Sequence, residues 1–324
     1  MTAQHPIGSG FPPSSTAADV VAGIDLRGKN VIVTAGHTGL GLETTRALAN
    51  AGATVTVAAR DVEKASAAVV SLAPVSQLDL LDPASIRAFA DRWGERPLHI
   101  LINCAAAPGS PTRIVDARGF ERHFATTHLG HFALTLALIP ALRAAHGARV
   151  VTVSSGAHRF GQIRWDDPNF ETGYQPQVAY AQAKKANVLF SVELDRRYAA
   201  AGIRAYAVHP GVVVGTVLNA SAGTDALRAM GLIDEAGAPI IDPVVGKKTV
   251  QQGASTIAFA ATSPLLANIG GVYLKDNDVS RIDDEQRPLT STSIPSEACS
   301  SSLDPAAARR LWELSEKLLG VTAS

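Results

Sequence analysis

Between residues 30 and 51 the chain passes from a short β-branched run, Val31-Ile32-Val33-Thr34, through Ala35-Gly36-His37-Thr38-Gly39-Leu40-Gly41 into the amphipathic stretch Leu40 to Ala51. Nothing else in the sequence constrains the fold as strongly. A strand that turns on small residues and continues at once as a helix predicts the first unit of a parallel sheet. The pattern repeats at Thr54 to Ala58 followed by Val62 to Leu72, and further strands are expected at Val75 to Leu78, Leu98 to Asn103, Arg149 to Ser154, Ile203 to His209 and Gly271 to Leu274.

About seven parallel strands alternating with helices predict an α/β, Rossmann-like, doubly wound sheet with helices on both faces. The 324 residues, 46% of them hydrophobic, suffice for one large core. Residues 1–22, with Pro6, Pro12 and Pro13 and no period, read as an irregular arm, leaving 23–324 as a single domain. The stretch 217–248 interrupts the alternation with glycines and two prolines and is expected to form a substrate lid. The helix containing Tyr180 is expected from about Gln177 to Ala200, stopping at Gly202.

Charge narrows the possible partners. Lys plus Arg and Asp plus Glu both number 29, so no basic field exists to collect nucleic acid or an anionic membrane. The most apolar stretch, Phe132 to Leu142, is too short to span a bilayer, and Met1 to Thr16 lacks the basic and apolar regions of a secretory signal. With only Cys104 and Cys299, far apart, the expected setting is a reducing one, and the expected location cytoplasmic. His128 and His131 sit in an apolar helix without clustered acidic or thiol partners, so no metal is expected.

Two constellations carry chemistry. In the first, Gly36, His37, Thr38, Gly39, Leu40 and Gly41 let the backbone approach a pyrophosphate held at a helix N-terminus. Arg60, ending the second strand, puts a guanidinium where an adenosine ribose would lie, which suits a 2′-phosphate and favours NADP over NAD. A solvated charge at a strand end is the alternative reading, and Asp61 beside it tempers the field.

In the second, Tyr180 and Lys184 lie one helical turn apart on one face. The ammonium is expected to pull the phenol pKa down, so that together they can move a proton. Ser155 follows a predicted strand at the carboxyl edge of the sheet, where it could hydrogen-bond a substrate carbonyl. Between them, His158, Phe160, Trp165 and Tyr174 either line a pocket or form a small core of their own. Cys104 follows an apolar strand near the same region and reads as a buried, inert thiol.

These motifs together resemble the short-chain dehydrogenase/reductase family from about Leu26 to Leu319. Thr34, Gly39 and Gly41 match its T-G-x-x-x-G-x-G loop, with Ala35 at the first glycine and Gly36 beside it to supply backbone freedom. Ser155, Tyr180 and Lys184 match its catalytic triad, and Thr127 stands where the family has an Asn whose carbonyl anchors a proton-relay water. The resemblance implies that Asp79 and Leu80 contact adenine and that Asn103, Cys104 and Ala105 border the cofactor. It also implies that Pro210, Gly211, Val213 and Thr216 hold the nicotinamide carboxamide.

Ser155 and Tyr180 are 25 residues apart, with an insertion at about 161–175, and Phe124 to Phe132 resembles N-H-L-G-H-F. Both features resemble the retinol-dehydrogenase-like and WW-domain-oxidoreductase-like branch. The implied function is NAD(P)-dependent hydride transfer between a carbonyl and an alcohol on a small organic substrate, with NADPH-dependent reduction favoured. The alternatives are non-redox acid/base chemistry on the same fold and an NADP-binding sensor. The family further implies a homodimer or homotetramer.

Overall fold

Alternation along the chain builds the molecule. The computed structural model describes residues 4–214 and 223–322. After a short helix α1 (Ala17–Val21) come β1 (Asn30–Thr34), α2 (Gly39–Asn50), β2 (Thr54–Ala59), α3 (Val62–Ala68), β3 (Val75–Gln77), α4 (Pro83–Trp93) and β4 (Ile100–Asn103). A π-helical turn, Phe124–Leu129, then opens α5 (Gly130–Ala137), followed by α6 (Ile139–Ala144), β5 (Ala148–Val153), α7 (Pro176–Tyr198) and β6 (Ile203–His209). The remainder supplies α8 (Thr224–Ala229), α9 (Val250–Gly253), α10 (Ser255–Thr262), β7 (Val272–Lys275), β8 (Asp278–Val279) and α11 (Pro305–Leu319).

The sheet order is β3-β2-β1-β4-β5-β6-β7-β8, with the first seven strands parallel as expected. Successive side chains point to opposite faces. Val31, Val33, Ile102 and Val151 join α1, α2 and α10 in one core, whereas Ile32, Leu101 and Val150 join α4, α5, α6, α7 and α11 in another. Burial on both faces is why these strands read as continuous apolar runs. The chain reverses direction across the sheet between β1 and β4, so a crevice opens at their carboxyl ends, where such folds bind ligands.

Two features differ from the sequence reading. An antiparallel eighth strand follows β7 through the two-residue turn Asp276-Asn277, whose φ angles of 52° and 63° fit the right-handed twist of a tight hairpin. The stretch 1–22 is not wholly irregular, because Thr16 and Asp19 form a reciprocal cap that starts α1, and Ala17, Val20 and Val21 bury against the core. The apolar stretch from Phe132 to Leu142 is two helices broken at Leu138, ahead of Pro140. Among the described residues no helix is long and apolar enough to cross a membrane.

Candidate active site

Four strand ends converge on the crevice. β5 ends at Val153, and Ser155 then caps a 3₁₀ turn (Gly156–Arg159), its hydroxyl accepting from the Ala157 N–H at 3.2 Å. α7 brings Tyr180 to the same point, within hydrogen-bond reach of Ser155. One turn later Lys184 is 2% exposed, its Nζ donating to the Val153 carbonyl at 3.0 Å and lying 5.6 Å from the Tyr180 ring centre. Ser154 is structural, since its hydroxyl donates to the Lys184 carbonyl at 2.7 Å. The three residues singled out by spacing therefore meet in space.

Their electrostatics differ from the expectation in one respect. Enclosure pushes the Tyr180 phenol above its ordinary value, opposed by the Ser155 hydrogen bond, so the expected downward pull is not the net effect. Lys184 bears a desolvation penalty of its own, which lowers it to about 8, and its ammonium is directed at a backbone carbonyl. Beside them desolvation pushes the Cys104 thiol up to about 11, although the residue is half-buried and lines the crevice, not fully buried as expected.

The loop after β1 is shaped for close backbone approach. Ala35 itself adopts φ 52° and Gly39 φ 50°, so the left-handed geometry falls on the alanine, and Gly36 does not supply it as expected. A Cβ on Gly36 would meet Thr45 Oγ1 at 2.7 Å and Val57 at 3.0 Å, and one on Gly41 would meet the Ala35 carbonyl. Thr38 precedes α2 without a side-chain cap, so the first amides of this 12-residue helix are left to an external acceptor. His37 Nδ1 is buried without a partner in the same loop. These are the properties of a pyrophosphate cradle, and the residues present fit a dinucleotide.

Arg60 is exposed at the end of β2, and among the described residues no ion pair engages it. The Asp61 carboxylate is directed instead at the Lys64 amide as the cap of α3. Thr34, expected among the cofactor residues, is 1% exposed, and its hydroxyl accepts from the Cys104 and Ala105 amides at 2.8 and 3.0 Å. It shapes the crevice by tying β1 to the end of β4. Asn103 is likewise internal, donating to Thr135 and Thr152. Asp79 accepts from the Leu81 amide at 2.9 Å within its own turn, and the Leu80 carbonyl fills the space beside Gly130 at the start of α5.

The π-helical turn presents the Thr127 carbonyl inward, where His131 Nδ1 donates to it at 3.0 Å; His131 Nε2 pairs with the Thr34 hydroxyl at 2.9 Å. His128 Nε2 meets Ser315 at 2.7 Å, so both histidines are held inside the core.

Ser155, Tyr180 and Lys184 line a cavity of about 960 Å³, together with Leu40, Cys104, Pro210, Gly211 and Val213 from the crevice. Thr216 lies outside the described residues, as does 217–222 of the expected lid. Of its described part, 223–248, no residue lines the cavity, whereas Leu289 from the C-terminal segment does. Arg159, 4% exposed, fixes that segment by donating to the carbonyls of Asp283, Glu285 and Glu297. No local pattern marks Leu289 or Arg159 in the sequence.

Among the residues between Ser155 and Tyr180, Phe160 lines the cavity, Trp165 packs beside α11, and Tyr174 donates to the Ser110 carbonyl. His123, which the sequence reading also missed, lies edge-on to Tyr180 at 5.7 Å. Burial holds its imidazole down to about 4, hence neutral. Glu121 sets its position by accepting the His123 and Phe124 amides.

Comparison with known proteins agrees with this geometry. Residues 29–226 match the family described as short chain dehydrogenase. A Streptomyces antibioticus protein named "Probable oxidoreductase" is 42% identical, over 90% of this chain and 97% of its own length. Human retinol dehydrogenase 12 is 36% identical over 92% and 88%, respectively. A solved structure of an uncharacterized protein from Mycobacterium Paratuberculosis is 33% identical, covers 96% of this chain and 99% of that one, and superposes with a TM-score of 0.71.

Proposed function

The chain belongs to the short-chain dehydrogenase family, and from that premise we propose that it is an NADPH-dependent reductase of a carbonyl group on a small, largely apolar organic substrate, within the retinol-dehydrogenase-like branch. The family carries NAD(P)-dependent oxidoreductase chemistry, and bound NADPH would supply the hydride. The observation that carries the finer reading is the contact of Ser155 with Tyr180 at the floor of an apolar cavity that also reaches the glycine loop.

In this reading the Ser155 hydroxyl donates to the substrate carbonyl oxygen and fixes it beside the Tyr180 phenol. Tyr180 gives its proton to that oxygen as negative charge develops there. Its raised pKa keeps the phenol protonated at neutral pH, the form a reduction needs. Lys184, anchored on Val153, holds positive charge near the phenolate that results. Apolar walls from Phe160, Pro111 and Leu289 exclude water around the reacting oxygen. Arg60 supports the choice of NADPH, its guanidinium being exposed and, among the described residues, without an ion-pair partner where a 2′-phosphate would lie. The 36% identity to retinol dehydrogenase 12 and the long Ser155 to Tyr180 insertion support the branch.

The test is a fluorescence titration with NADPH and NADH, followed by assay of a panel of aldehydes and ketones. NADPH binding with Tyr180-dependent oxidation of NADPH is the expected result. Binding of neither nucleotide, or product formed without net NADPH consumption, overturns it in favour of non-redox acid/base chemistry.

A further inference from the structure

Behind the Ser155 turn lies a second group of reactive side chains that the proposed mechanism does not use. His158, in the 3₁₀ turn that Ser155 caps, is fully buried, and its Nδ1 donates to the Ser155 carbonyl at 2.7 Å. Its Nε2 is enclosed and makes no well-formed hydrogen bond. With the proton on Nδ1, that nitrogen is a free base turned towards the Cys299 thiol, whose ionisation it favours.

Cys299 comes from the C-terminal segment and is 3% exposed. Its sulfur lies 3.0 Å from the Ser302 hydroxyl and 3.5 Å from that of Ser301, which also accepts from Lys185 Nζ at 2.8 Å. Tyr273, 4.5 Å from the His158 ring, is held neutral by burial and donates to the Ser296 carbonyl. The groups facing the sulfur are thus an imidazole, two hydroxyls and an ammonium relayed through one of them. Burial pushes the thiol up, but an imidazole able to take its proton and hydroxyls able to donate to the sulfur outweigh it, and the net effect lowers it from 9 to about 6. Cys104, by contrast, remains a thiol at neutral pH.

We propose that Cys299 and His158 form a peroxide-reactive thiol site that reports oxidation to the Ser155 turn. The Cys299 thiol gives its proton to His158 Nε2, and the thiolate so formed attacks one oxygen of hydrogen peroxide, the S–O bond forming as the O–O bond breaks. The departing hydroxide takes the electron pair and is protonated by the His158 imidazolium to water. Sulfur is oxidised by two electrons to the sulfenic acid and the peroxide is reduced. At 3% exposure the sulfur is closed to bulky alkylating agents, and peroxide is among the smallest oxidants that could reach it. The added oxygen lies against His158, whose other nitrogen holds the Ser155 backbone, so oxidation disturbs the hydroxyl that polarises the substrate. This last consequence rests on the proposed reductase reading; the chemistry at sulfur does not.

The test exposes the whole protein to hydrogen peroxide, quenches it into denaturant containing dimedone, and measures adducts at both cysteines by mass spectrometry. Cys299 is expected to label at least tenfold faster than Cys104, with a rate that rises to a plateau through about pH 6, and to recover its thiol with a reductant. His158→Gln is expected to slow labelling at pH 7 at least tenfold. Should that variant not fold, the pH profile of the unsubstituted protein decides alone. Equal labelling of the two cysteines, no labelling of Cys299, or a midpoint at pH 8 or above overturns the site. Labelling of Cys299 without loss of carbonyl reduction overturns only the link to Ser155, and absence of any carbonyl reduction before oxidation faults the reductase reading instead.

Discussion

The carbonyl oxygen of Ala35 occupies the volume in which a side chain on Gly41 would begin. The two residues close the loop after β1 on itself, and the cost appears at Ala35, an alanine held at φ 52°. Left-handed geometry disfavours a residue with a Cβ by roughly 1–2 kcal/mol. Ala35→Gly is therefore expected to raise the melting temperature modestly while leaving NADPH binding intact. Gly41→Ala must displace backbone, and is expected to weaken NADPH binding at least tenfold in a fluorescence titration. Unchanged binding in Gly41→Ala would show that the loop has slack that the close approach denies.

Arg60 projects from the end of β2 with its neighbour Asp61 engaged as the cap of α3. A free guanidinium beside a 2′-phosphate gives a charge-assisted, salt-sensitive contact. NADPH is expected to bind at least tenfold more tightly than NADH, and Arg60→Ala to bring the two affinities close together by weakening only NADPH. Equal losses for both nucleotides would assign Arg60 to the common part of the site.

Much of this arrangement is legible in the sequence because it is local. Apolar runs buried on both faces announce β1, β2, β4, β5 and β6, the glycine loop follows β1 directly, and Tyr180 and Lys184 are separated by one helical turn. The parts that were missed depend on contacts between distant residues. Thr34 reads as a cofactor residue until its hydroxyl is seen tied to the end of β4, 70 residues on. Arg159 meets the Leu289 segment across more than 120 residues, and His158 meets Cys299 across a similar span. The direction of the Tyr180 pKa failed for a related reason: spacing gives the proximity of Lys184 but not the depth of burial, which here dominates.

Removal of the Tyr180 hydroxyl separates chemistry from binding. In the proposed mechanism the phenol is the proton donor and Ser155 its partner, whereas the glycine loop and Arg60 lie elsewhere. Tyr180→Phe is expected to lower kcat by two orders of magnitude or more, within the range general acid catalysis supplies, with NADPH affinity within about threefold. Turnover within a factor of a few of the unsubstituted protein would move the proton donor to another group.

Lys184 sets function against stability. Its ammonium is almost fully enclosed and lowered from 10.5 to about 8 by desolvation, so the folded state carries a penalty for its charge at neutral pH. Between about pH 8 and 10.5 the unfolded chain still holds the proton that the folded chain has released, so the contribution of this group to stability rises with pH across that window. Lys184→Met removes the penalty, and the Val153 carbonyl keeps its second donor, Asn187 Nδ2, at 3.0 Å. The variant is expected to melt at or above the unsubstituted protein at pH 7, with the gap narrowing from pH 8 to 10, and to have lost catalysis. A variant that melts lower at pH 7 would show that the ammonium stabilises the fold in spite of its burial.

The edge of the sheet is closed by a side chain. Gln4 is 6% exposed; its amide nitrogen donates to the Tyr273 and Ser280 carbonyls at 2.8 and 2.6 Å, and its oxygen accepts from the Tyr273 amide at 2.9 Å. One glutamine thereby occupies backbone groups of β7 and of the residue after β8. The Asp278 carboxylate meanwhile accepts from the Ile7 and Gly8 amides, binding the arm back to the hairpin. Buried backbone groups left without partners cost about 1–3 kcal/mol. Gln4→Ala is expected to destabilise the protein by about that amount and to speed hydrogen exchange at the Tyr273 amide, while β1 and β4 remain protected. Exchange accelerated equally in all strands would mean that the arm supports the whole sheet and not its last hairpin.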